Sequence, residues 1–463
     1  MNLVFSIING ENIICETKRA GNDRMLRPKV INDAIHGTYK VDGVRRELLA
    51  TPEFNKLCHI KQLGLAHLIF PGAHHTRFEH SLGVSHIAGL MADSIELDSS
   101  EKELVQVAGM LHDVGHGPYS HTLEHILHER GGMDHMSITE GIIRGEYDVL
   151  KKGEEKIFSE RELIPEILER HGIDPNEIAN LIRGPDAGGT ERSIFDFEAG
   201  NSEFTSKDIT LANIVHGPVD CDQMDYLLRD SHFTGVKHGV IDHHRLINSL
   251  RRNSGDVAID EGGLSALEGM LTARALMYSA VYFHRVTRIT EIMLSRAVEY
   301  MDTSSMDLQR MVDSEIWEVL ANGGEYQKEI LSRIKYRQLF KVAAVWRKDE
   351  LNENHISKLI ELASNSKYRR EVEKRLAERS GLTEGHVAVD VPSVKLLLSE
   401  PRMAQVDIRV LGDDKQIRWF KEHTTLADAL RNRQVSQAAC YIMTTPGNET
   451  AVSNIAKRVL FDD

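Results

Sequence analysis

The amino-acid sequence predicts a mainly α-helical protein with a smaller α+β lobe at its C-terminal end. From residue 76 onward, apolar residues recur at the three- and four-residue spacing of an α-helix. Beyond residue 385 the pattern changes to alternating apolar residues, over 387–391, 406–411 and 416–420, which is typical of strands. A further strand at 438–443 and a helix at 450–460 complete the predicted lobe.

Three predicted helices begin with a capping box, in which Ser or Thr is followed three residues later by Glu. The pattern occurs at 76–79, 100–103 and 137–140. The first of these helices carries Leu82, Val84, Ile87 and Met91 on one face, which predicts its buried side. Farther along, residues 264–301 are predicted to form one long helical run.

We expect three parts along the chain. Residues 1–28 are predicted to form an N-terminal hairpin segment around the turn signal Asn9-Gly10. Residues 29–384 should form the main helical domain, in which the charged stretch 144–205 is interpreted as a peripheral excursion. Residues 385–463 should form the α+β lobe.

The composition excludes several classes of protein. The chain has 463 residues, of which 41% are hydrophobic and 27% charged, which is typical of a globular protein rather than a disordered one. The formal net charge of −14 disfavours nucleic acid as a partner. No segment approaches the roughly 20 apolar residues of a membrane span, and the N-terminal stretch lacks a leader pattern. We therefore expect a cytoplasmic protein that is not bound to a membrane.

The cysteines point to neither disulfides nor a thiolate zinc site. Cys15, Cys58, Cys221 and Cys440 lie far apart, and no two of them have the CxxC spacing. They are interpreted as reduced thiols.

The segment 111–118 carries the strongest chemical signal. His112 and Asp113 lie side by side at the end of an apolar helix, and a glycine break leads to His116. A buried carboxylate without a partner is costly, which favours a cation nearby. On the preceding helix, His80 shares the face of the apolar stripe, so its imidazole should point toward the core.

Two histidines and two carboxylates would hold a divalent metal and leave positions for water, as hydrolytic chemistry requires. The second carboxylate should come from residues 220–225, but periodicity does not choose among Asp220, Asp222 and Asp225. Taken alone, a histidine on an apolar helix face is more often a core residue with satisfied hydrogen bonds than a metal ligand.

Six segments resemble one enzyme superfamily. They are 29–37 (KVINDAIHG), 59–64 (HIKQLG), 70–73 (FPGA), 77–84 (RFEHSLGV), 112–121 (HDVGHGPYSH) and 222–232 (DQMDYLLRDSH). The order of His80, His112-Asp113 and Asp222 is similar to the H…HD…D signature of the HD phosphohydrolase superfamily. The closer resemblance is to deoxynucleoside triphosphate triphosphohydrolases of the mammalian SAM-and-HD-domain type, and it covers residues 30–300. It implies an HD-domain helical bundle for the main domain, 29–384.

The resemblance implies the metal ligands and resolves the choice among the three aspartates. His80, His112, Asp113 and Asp222 match the ligand positions of the family. The implied cofactor is a divalent transition metal, Fe, Mn, Zn, Ni or Co, and Mg could accompany the triphosphate. Such a cation would polarise a phosphoryl oxygen or lower the pKa of a bound water toward about 7.

His135 matches the catalytic histidine of the family, and Glu124 stands where the family has the aspartate that orients it. A histidine held by a carboxylate can protonate a leaving oxygen or guide water. The alternative interpretation is that His135 only caps an exposed helix.

The resemblance also implies two sets of substrate-binding residues. The residues that match contacts to the triphosphate are Arg77, His116, His121, Tyr226 and Arg274, and guanidinium groups suit phosphate oxygens. The residues that match the lining of the deoxyribose are Gln62, Leu63, Asp230 and Tyr282. Taken singly, Arg77 could be a surface arginine at a helix end, Arg274 could form an ion pair within its helix, and Leu63 could be a core residue. His74 and His75 could line the mouth of the site, but the favoured interpretation is that they are exposed loop residues.

Two departures from the family pattern concern substrate and regulation. Gln223, in the substrate-binding set, replaces the phosphate-binding lysine of the family, which removes one positive charge from the pocket. Lys29, Val30 and Asn32 match part of the family's allosteric nucleotide site. Ala50 and Cys58 replace the aspartate and arginine that read guanine, so activation by a guanine nucleotide is not expected.

The implied activity is hydrolysis of deoxynucleoside triphosphates (dNTPs) to a deoxynucleoside and inorganic triphosphate, by attack of water at the α-phosphorus. The resemblance also implies a homo-oligomer, a dimer or a tetramer. Two alternatives stay open. One is an HD phosphohydrolase for another nucleotide or phosphoester, and the other is a nucleotide-sensing binding protein with residual activity.

Overall fold

The computed structural model describes residues 27–120, 122, 123, 126, 132–184, 206–253, 256–301, 307–391, 408–431 and 438–462. Most of the predicted N-terminal hairpin at 1–28 lies outside these ranges, and so do His121 and Glu124. Within them the fold is mainly α-helical with three small sheets, which confirms the predicted fold class.

The described helices follow one another along the whole chain. The first ten are α1 (Gly43–Leu48), α2 (Pro52–Lys56), α3 (Arg77–Ser94), α4 (Ser99–Leu111), α5 (His135–Arg144), α6 (Ile164–Arg170), α7 (Pro175–Arg183), α8 (Ser206–Val215), α9 (Cys221–Thr234) and α10 (His243–Asn248). The next nine are α11 (Leu264–Met277), α12 (Arg285–Glu299), α13 (Asp313–Ala321), α14 (Glu325–Lys335), α15 (Glu353–Ser364), α16 (Ser366–Arg379), α17 (Phe420–His423), α18 (Leu426–Arg431) and α19 (Glu449–Lys457).

The strands belong to three sheets. They are β1 (Lys29–Asp33), β2 (Gly37–Val41), β3 (Leu250–Asn253), β4 (Asp256–Asp260), β5 (Lys341–Trp346), β6 (Val387–Asp390), β7 (Arg409–Leu411), β8 (Ile417–Trp419) and β9 (Cys440–Thr444). β1 and β2 form an antiparallel hairpin in which Ile31 lies opposite Tyr39. The second sheet has the order β3-β4-β7-β8, with β4 and β7 parallel, and the third is antiparallel with the order β5-β9-β6.

The predicted C-terminal strands therefore divide between two sheets, and each sheet also contains strands from before residue 385. β7 and β8 extend the hairpin β3–β4, whereas β6 and β9 pair around β5. Helices α15, α16 and α19 pack with the third sheet to form the small α+β lobe. A domain boundary at residue 385 stays a prediction.

Helix α3 lies at the centre of the main core. Twelve of its eighteen residues are buried, including Val84, Ile87 and Met91 of the predicted stripe. A helix buried on most sides has little contact with water, so its polar side chains must find partners within the protein. Arg77 and His80 are two such side chains, and both are directed into the site described below.

The predicted helix starts are correct for α3 and wrong for the next two helices. Thr76 is the N-cap of α3, although its hydroxyl donates to the Glu79 carboxylate rather than accepting a backbone N–H. Helix α4 is capped by Asp98, which accepts the N–H of Glu101 at 2.8 Å, and α5 is capped by Asp134. An ionised carboxylate is a stronger acceptor than a hydroxyl, so these aspartates take the N-cap position instead of the nearby serines.

The long helical run predicted at 264–301 is two helices. After α11 the helix widens into a π-helical turn over Tyr278–Tyr282, and this turn ends at Phe283. His284 then caps α12, because its Nδ1 accepts the N–H of Val286 at 3.3 Å. The break places Tyr282 at a helix end, beside residues of α9.

Part of the predicted peripheral excursion belongs to the main core. Helices α6 and α7 contribute the buried side chains of Ile164, Leu168, Ile178 and Leu181 to the same cluster as α3 and α4. These helices are amphipathic, and their apolar faces pack into the main core. Residues 185–205 of the excursion lie outside the described ranges.

The cysteines that the structure describes are Cys58, Cys221 and Cys440, and all three are free thiols. Cys221 and Cys440 are buried and act as small apolar side chains in the core. Among the described helices, none combines the length and the apolar character needed to cross a membrane.

Ion pairs join α12 to the C-terminal lobe. Arg296 binds Glu373 on α16 at 2.8 Å, and Arg288 binds Asp390 on β6 at 2.8 Å. Glu291 lies one turn from Arg288, at 3.7 Å. Burial raises the pKa of Glu291 to about 7; Arg288 opposes this shift and Asp390 adds to it.

Glu291→Gln is expected to stabilise the protein at pH 8 and to change little at pH 4. The carboxyl has an ordinary pKa of 4.5 in the unfolded chain, so the folded state loses stability as the pH rises from 4.5 through about 7. Glutamine removes this dependence and should raise the free energy of unfolding by about 2 to 3 kcal/mol at pH 8. Urea denaturation at both pH values measures the difference.

The exposed Glu378 provides the control for this prediction. Glu378→Gln should change the free energy of unfolding by less than about 0.5 kcal/mol at either pH. An effect of Glu291→Gln that is equal at pH 4 and pH 8 would contradict the assignment of a raised pKa.

Candidate metal centre

Helices α3, α4 and α9 bring three of the four predicted metal ligands together. His80 lies on α3, His112 follows the last turn of α4, and Asp222 lies in the first turn of α9. One ligand atom from each side chain lies within 4.8 Å of the other two. In the part of the chain that the structure describes, no other group of three His, Cys, Asp or Glu residues meets this distance.

Both histidines present Nε2 to this centre because Nδ1 is already held. Nδ1 of His80 lies 2.7 Å from a carboxylate oxygen of Asp225, and Nδ1 of His112 lies 2.8 Å from the backbone oxygen of Gly109. The two Nε2 atoms lie 3.1 and 3.8 Å from Oδ1 of Asp222. Metal-binding histidines are commonly fixed in this way, so the donor set fits a divalent cation.

The charged groups around His80 and Asp222 shift the pKa values of both side chains. Burial lowers the pKa of His80, but the hydrogen bonds with Asp222 and Asp225 outweigh burial and raise it to about 10. Burial raises the pKa of Asp222, and the neighbouring His80 and His112 outweigh burial and bring it below its ordinary value. The carboxylates therefore stay ionised in the neutral range, and their negative charge suits a cation.

Asp113, the fourth predicted ligand, faces the centre and a cationic side chain at the same time. Its oxygens lie 3.3 Å from Nε2 of His112 and 3.9 Å from Nε2 of His80. Arg77 donates to Oδ2 at 2.6 Å, and Nε2 of His116 lies 3.2 Å from Oδ1. Burial raises the pKa of Asp113, but Arg77 and the histidines outweigh burial and hold it well below its ordinary value. Asp113 thus links the three-residue cluster to Arg77 and His116.

The N-terminus of α5 places His135 beside this cluster. His135 is the first residue of the helix, and its ring stacks on His116 with centroids 4.2 Å apart at 14°. Gly115 permits the close approach, because a Cβ there would lie 2.3 Å from the backbone oxygen of His135. The N–H of Gly115 donates to Thr139 at 3.1 Å and so docks α5 onto the loop. Asp134, and not His135, caps the helix.

Arg77 and Arg274, predicted to contact phosphate, are both buried, so the alternative of a surface arginine at Arg77 is wrong. Arg77 pairs with Asp113 as described. Arg274 on α11 donates to Oε1 of Gln223 on α9 at 2.6 Å. Gln223 therefore orients the side chain of Arg274. Tyr226 is half-buried on the same helix as Gln223.

The residues predicted to line the sugar form a connected group. The hydroxyl of Tyr282 donates to Oδ2 of Asp230 at 2.7 Å. Oδ1 of Asp230 lies 2.7 Å from Nε2 of His75, and the backbone N–H of Gln62 donates to the backbone oxygen of His75 at 3.0 Å. Leu63 follows Gln62 and packs, half-buried, against the main core.

Two residues of this region are not found by sequence reasoning. His75, interpreted as an exposed loop residue, is buried and stacks on Phe233 with centroids 4.7 Å apart. His36, in the turn between β1 and β2, reaches Oδ1 of Asp225 with Nε2 at 2.7 Å. A loop histidine has no periodic pattern, so the one available signal is that both lie in or beside segments that resemble the family.

The residues that match the allosteric positions lie on β1 and near α2. Lys29, Val30 and Asn32 are on β1, where Val30 is 53% exposed. Ala50 and Cys58 are exposed near α2. A nucleotide site at these residues stays a prediction.

Comparison with known families gives two consecutive matches. The HD domain matches residues 77–196, and the HD-associated region matches residues 241–461. The first match contains His80, His112 and His135, and the second contains Arg274 and Tyr282.

Several proteins are similar to this chain over much of its length. MJ1154 of Methanocaldococcus jannaschii is 31% identical over 416 residues, which cover 87% of this chain and 76% of that protein. YwfO of Bacillus subtilis is 34% identical over 59% of this chain and 56% of its own length. Human deoxynucleoside triphosphate triphosphohydrolase SAMHD1 is 30% identical over 68% of this chain. The chain spans only 54% of the length of human SAMHD1.

A solved structure agrees with the sequence comparisons. The crystal structure of a hypothetical protein from Aquifex aeolicus has a TM-score of 0.65 and 29% identity to this chain. It covers 93% of this chain and is itself covered completely. Together with the matches to both family regions and to MJ1154, this likeness shows that the chain belongs to the HD-domain family, with an HD domain followed by an HD-associated region.

Proposed function

We propose that this chain is a metal-dependent phosphohydrolase that cleaves a dNTP into a deoxynucleoside and inorganic triphosphate. The observation that carries the proposal is the cluster of His80, His112 and Asp222 beside the stacked rings of His116 and His135. The similarity to human SAMHD1, whose name states this activity, supports the choice of substrate.

The nature of the ligand atoms also limits which metal ions the centre could hold. His80, His112 and Asp222, with Asp113, would hold a divalent cation, which when bound would polarise a phosphoryl oxygen and favour ionisation of water. Nitrogen and carboxylate ligands suit Fe, Mn, Zn, Ni or Co, and Mg would accompany the triphosphate. Elemental analysis of the purified protein distinguishes these metals.

The reaction that we propose consumes one water for each dNTP. The water oxygen joins the α-phosphorus, the bond from that phosphorus to O5′ breaks, and O5′ takes a proton. His135 would donate this proton, and Glu124 would orient its ring. Arg77, Arg274 and the histidines His116 and His121 would stabilise the charge of the triphosphate as it leaves.

The sugar side of the site would select deoxynucleotides. Leu63 would lie against the 2′ carbon and disfavour an added hydroxyl, and Asp230 would accept from the 3′ hydroxyl. His75 and Tyr282 already hold the two oxygens of Asp230, which fixes the direction of its remaining acceptor positions. The rings of Tyr226 and Tyr282 meet edge to face at 6.0 Å, so the proposed phosphate and sugar sides would adjoin each other there.

The proposal is tested by incubating the protein with each dNTP and each NTP in the presence of Mn²⁺. Chromatography should detect a deoxynucleoside and inorganic triphosphate from the dNTPs, and at least about tenfold slower turnover of the NTPs. The assay is repeated with Fe²⁺, Zn²⁺, Ni²⁺ and Co²⁺. Products that contain a nucleoside monophosphate, or no hydrolysis with any of these five cations, would contradict the proposal.

Gln223 favours a second candidate, an HD phosphohydrolase for another nucleotide or phosphoester. The amide of Gln223 is neutral, and it is held by a hydrogen bond from Arg274 and by one to the backbone oxygen of Gly217 at 3.0 Å. A pocket with one cation fewer would suit a shorter or less charged phosphate group. A panel of nucleoside monophosphates, diphosphates and simple phosphomonoesters separates the two candidates.

We also propose that the protein assembles as a homo-oligomer, either a dimer or a tetramer. The proposal rests on the resemblance to the triphosphohydrolases. Light scattering coupled to size-exclusion chromatography measures the mass in solution, and a mass of 52.2 kDa would contradict assembly.

A further inference from the structure

We propose that Asp225 and His36 are positioning residues of the metal centre. The turn of the hairpin β1–β2 would then help to fix the orientation of the metal ligand His80. This inference rests on the metal centre of the proposed function. It goes beyond that function because neither residue is one of the four proposed metal ligands or one of the proposed substrate-binding residues.

Asp225 is surrounded by donors on all sides. It lies on α9, one turn after Asp222, and its side chain is fully buried. Oδ2 lies 2.7 Å from Nδ1 of His80, and Oδ1 lies 2.7 Å from Nε2 of His36. Arg229 adds two further contacts, at 2.8 and 2.9 Å, one to each oxygen.

These contacts fix which nitrogen of His80 faces the metal ligands. A carboxylate paired with a guanidinium is an acceptor, so Nδ1 of His80 donates its hydrogen to Asp225. Nε2 is thereby the nitrogen directed at Asp222, 3.1 Å away, and it would face a cation that displaces its proton. A carboxylate that fixes a histidine in this way sets both the tautomer and the direction of the ring.

The hairpin turn places His36 beside the same carboxylate. Oδ1 of Asp33 accepts the backbone N–H groups of Ile35 and His36 at 2.7 and 3.0 Å, which shapes the turn. Oδ2 of Asp33 accepts from Arg229 at 2.9 Å. The turn is therefore anchored to α9 at two points, through Asp33 to Arg229 and through His36 to Asp225.

Helices α3 and α9 pack so closely here that no side-chain atom fits at Gly83. A Cβ added at Gly83 would lie 1.9 Å from Oδ1 of Asp225 and 2.5 Å from a guanidinium nitrogen of Arg229. Glycine at this position lets the carboxylate sit against the backbone of α3, beside His80. Gly83→Ala would therefore displace Asp225 while leaving every polar group of the network in the chain.

The test measures Mn²⁺ affinity by isothermal titration calorimetry on the full chain, stripped of metal beforehand. Asp225→Asn should weaken Mn²⁺ binding by about 10- to 100-fold, and His36→Gln by about 3- to 10-fold. Asp390→Asn is the matched control, because Asp390 is also a buried aspartate paired with an arginine, Arg288. It should lower the thermal stability and leave the Mn²⁺ affinity within twofold of the parent.

Gly83→Ala provides a second variant in case Asp225→Asn does not fold, and it should weaken Mn²⁺ binding by at least about tenfold. If His36→Gln and the folded variants at Asp225 and Gly83 bind Mn²⁺ as tightly as the parent, the positioning role is overturned. The same conclusion follows if Asp390→Asn weakens binding equally. A parent protein that binds no divalent cation would instead overturn the metal centre of the proposed function.

Discussion

His112→Ala is expected to empty the metal centre and to lower dNTP hydrolysis by about 1,000-fold or more. The imidazole of His112 is one of three groups whose ligand atoms converge within 4.8 Å, and its Nδ1 is fixed by the backbone of Gly109. Stabilisation of transition-state charge by a metal is worth several kcal/mol, and about 4 kcal/mol corresponds to about 1,000-fold in rate. Elemental analysis and the rate of triphosphate release measure the two effects on one preparation.

The control for this prediction is a histidine that pairs with a carboxylate outside the three-residue cluster. His171 lies 2.8 Å from Glu47 on the surface, and His171→Ala should retain both metal and activity. If His112→Ala lost the metal but kept nucleotide affinity and its effect in cells, a nucleotide-sensing binding protein would be the better interpretation.

His135→Ala is expected to lower kcat by about 100- to 10,000-fold while leaving metal occupancy unchanged. His135 stacks on His116 but is not one of the three clustered ligands, so its removal takes away a proton donor and no ligand. The two histidine variants therefore separate chemistry from metal binding. Steady-state kinetics at saturating dNTP, together with elemental analysis, make the distinction.

A different result would assign His135 another role. Loss of metal from His135→Ala would show that the residue supports the centre rather than proton transfer. An unchanged kcat would show that the stacked pair is structural. His171→Ala again serves as the control, since it also removes one imidazole.

Periodicity in the sequence predicts one feature of the metal centre, which is the direction in which His80 points. The apolar stripe of α3 gives the inward direction of His80, and the structure confirms it with a side chain that is 1% exposed. Periodicity does not separate the three aspartates of α9, because their roles depend on other helices. Asp220 caps α9, Asp222 faces the centre, and Asp225 holds His80.

The contacts that escape sequence reasoning are those between distant parts of the chain. His75 and Asp230 are 155 residues apart, and His36 and Asp225 are 189 residues apart. Each of these histidines lies in a turn or loop, where burial depends on the elements that fold over it and not on its neighbours in sequence. The break before α12 escapes for a similar reason, because the apolar stripe continues through residues that no longer form one helix.

The most direct test of the proposed chemistry follows the oxygen of water through the reaction. The metal-loaded protein is incubated with a dNTP in water enriched in ¹⁸O, and the products are examined by ³¹P NMR and mass spectrometry. Attack of water at the α-phosphorus predicts inorganic triphosphate that carries one ¹⁸O and a deoxynucleoside that carries none. Labelled orthophosphate or pyrophosphate, or label in the deoxynucleoside, would contradict it.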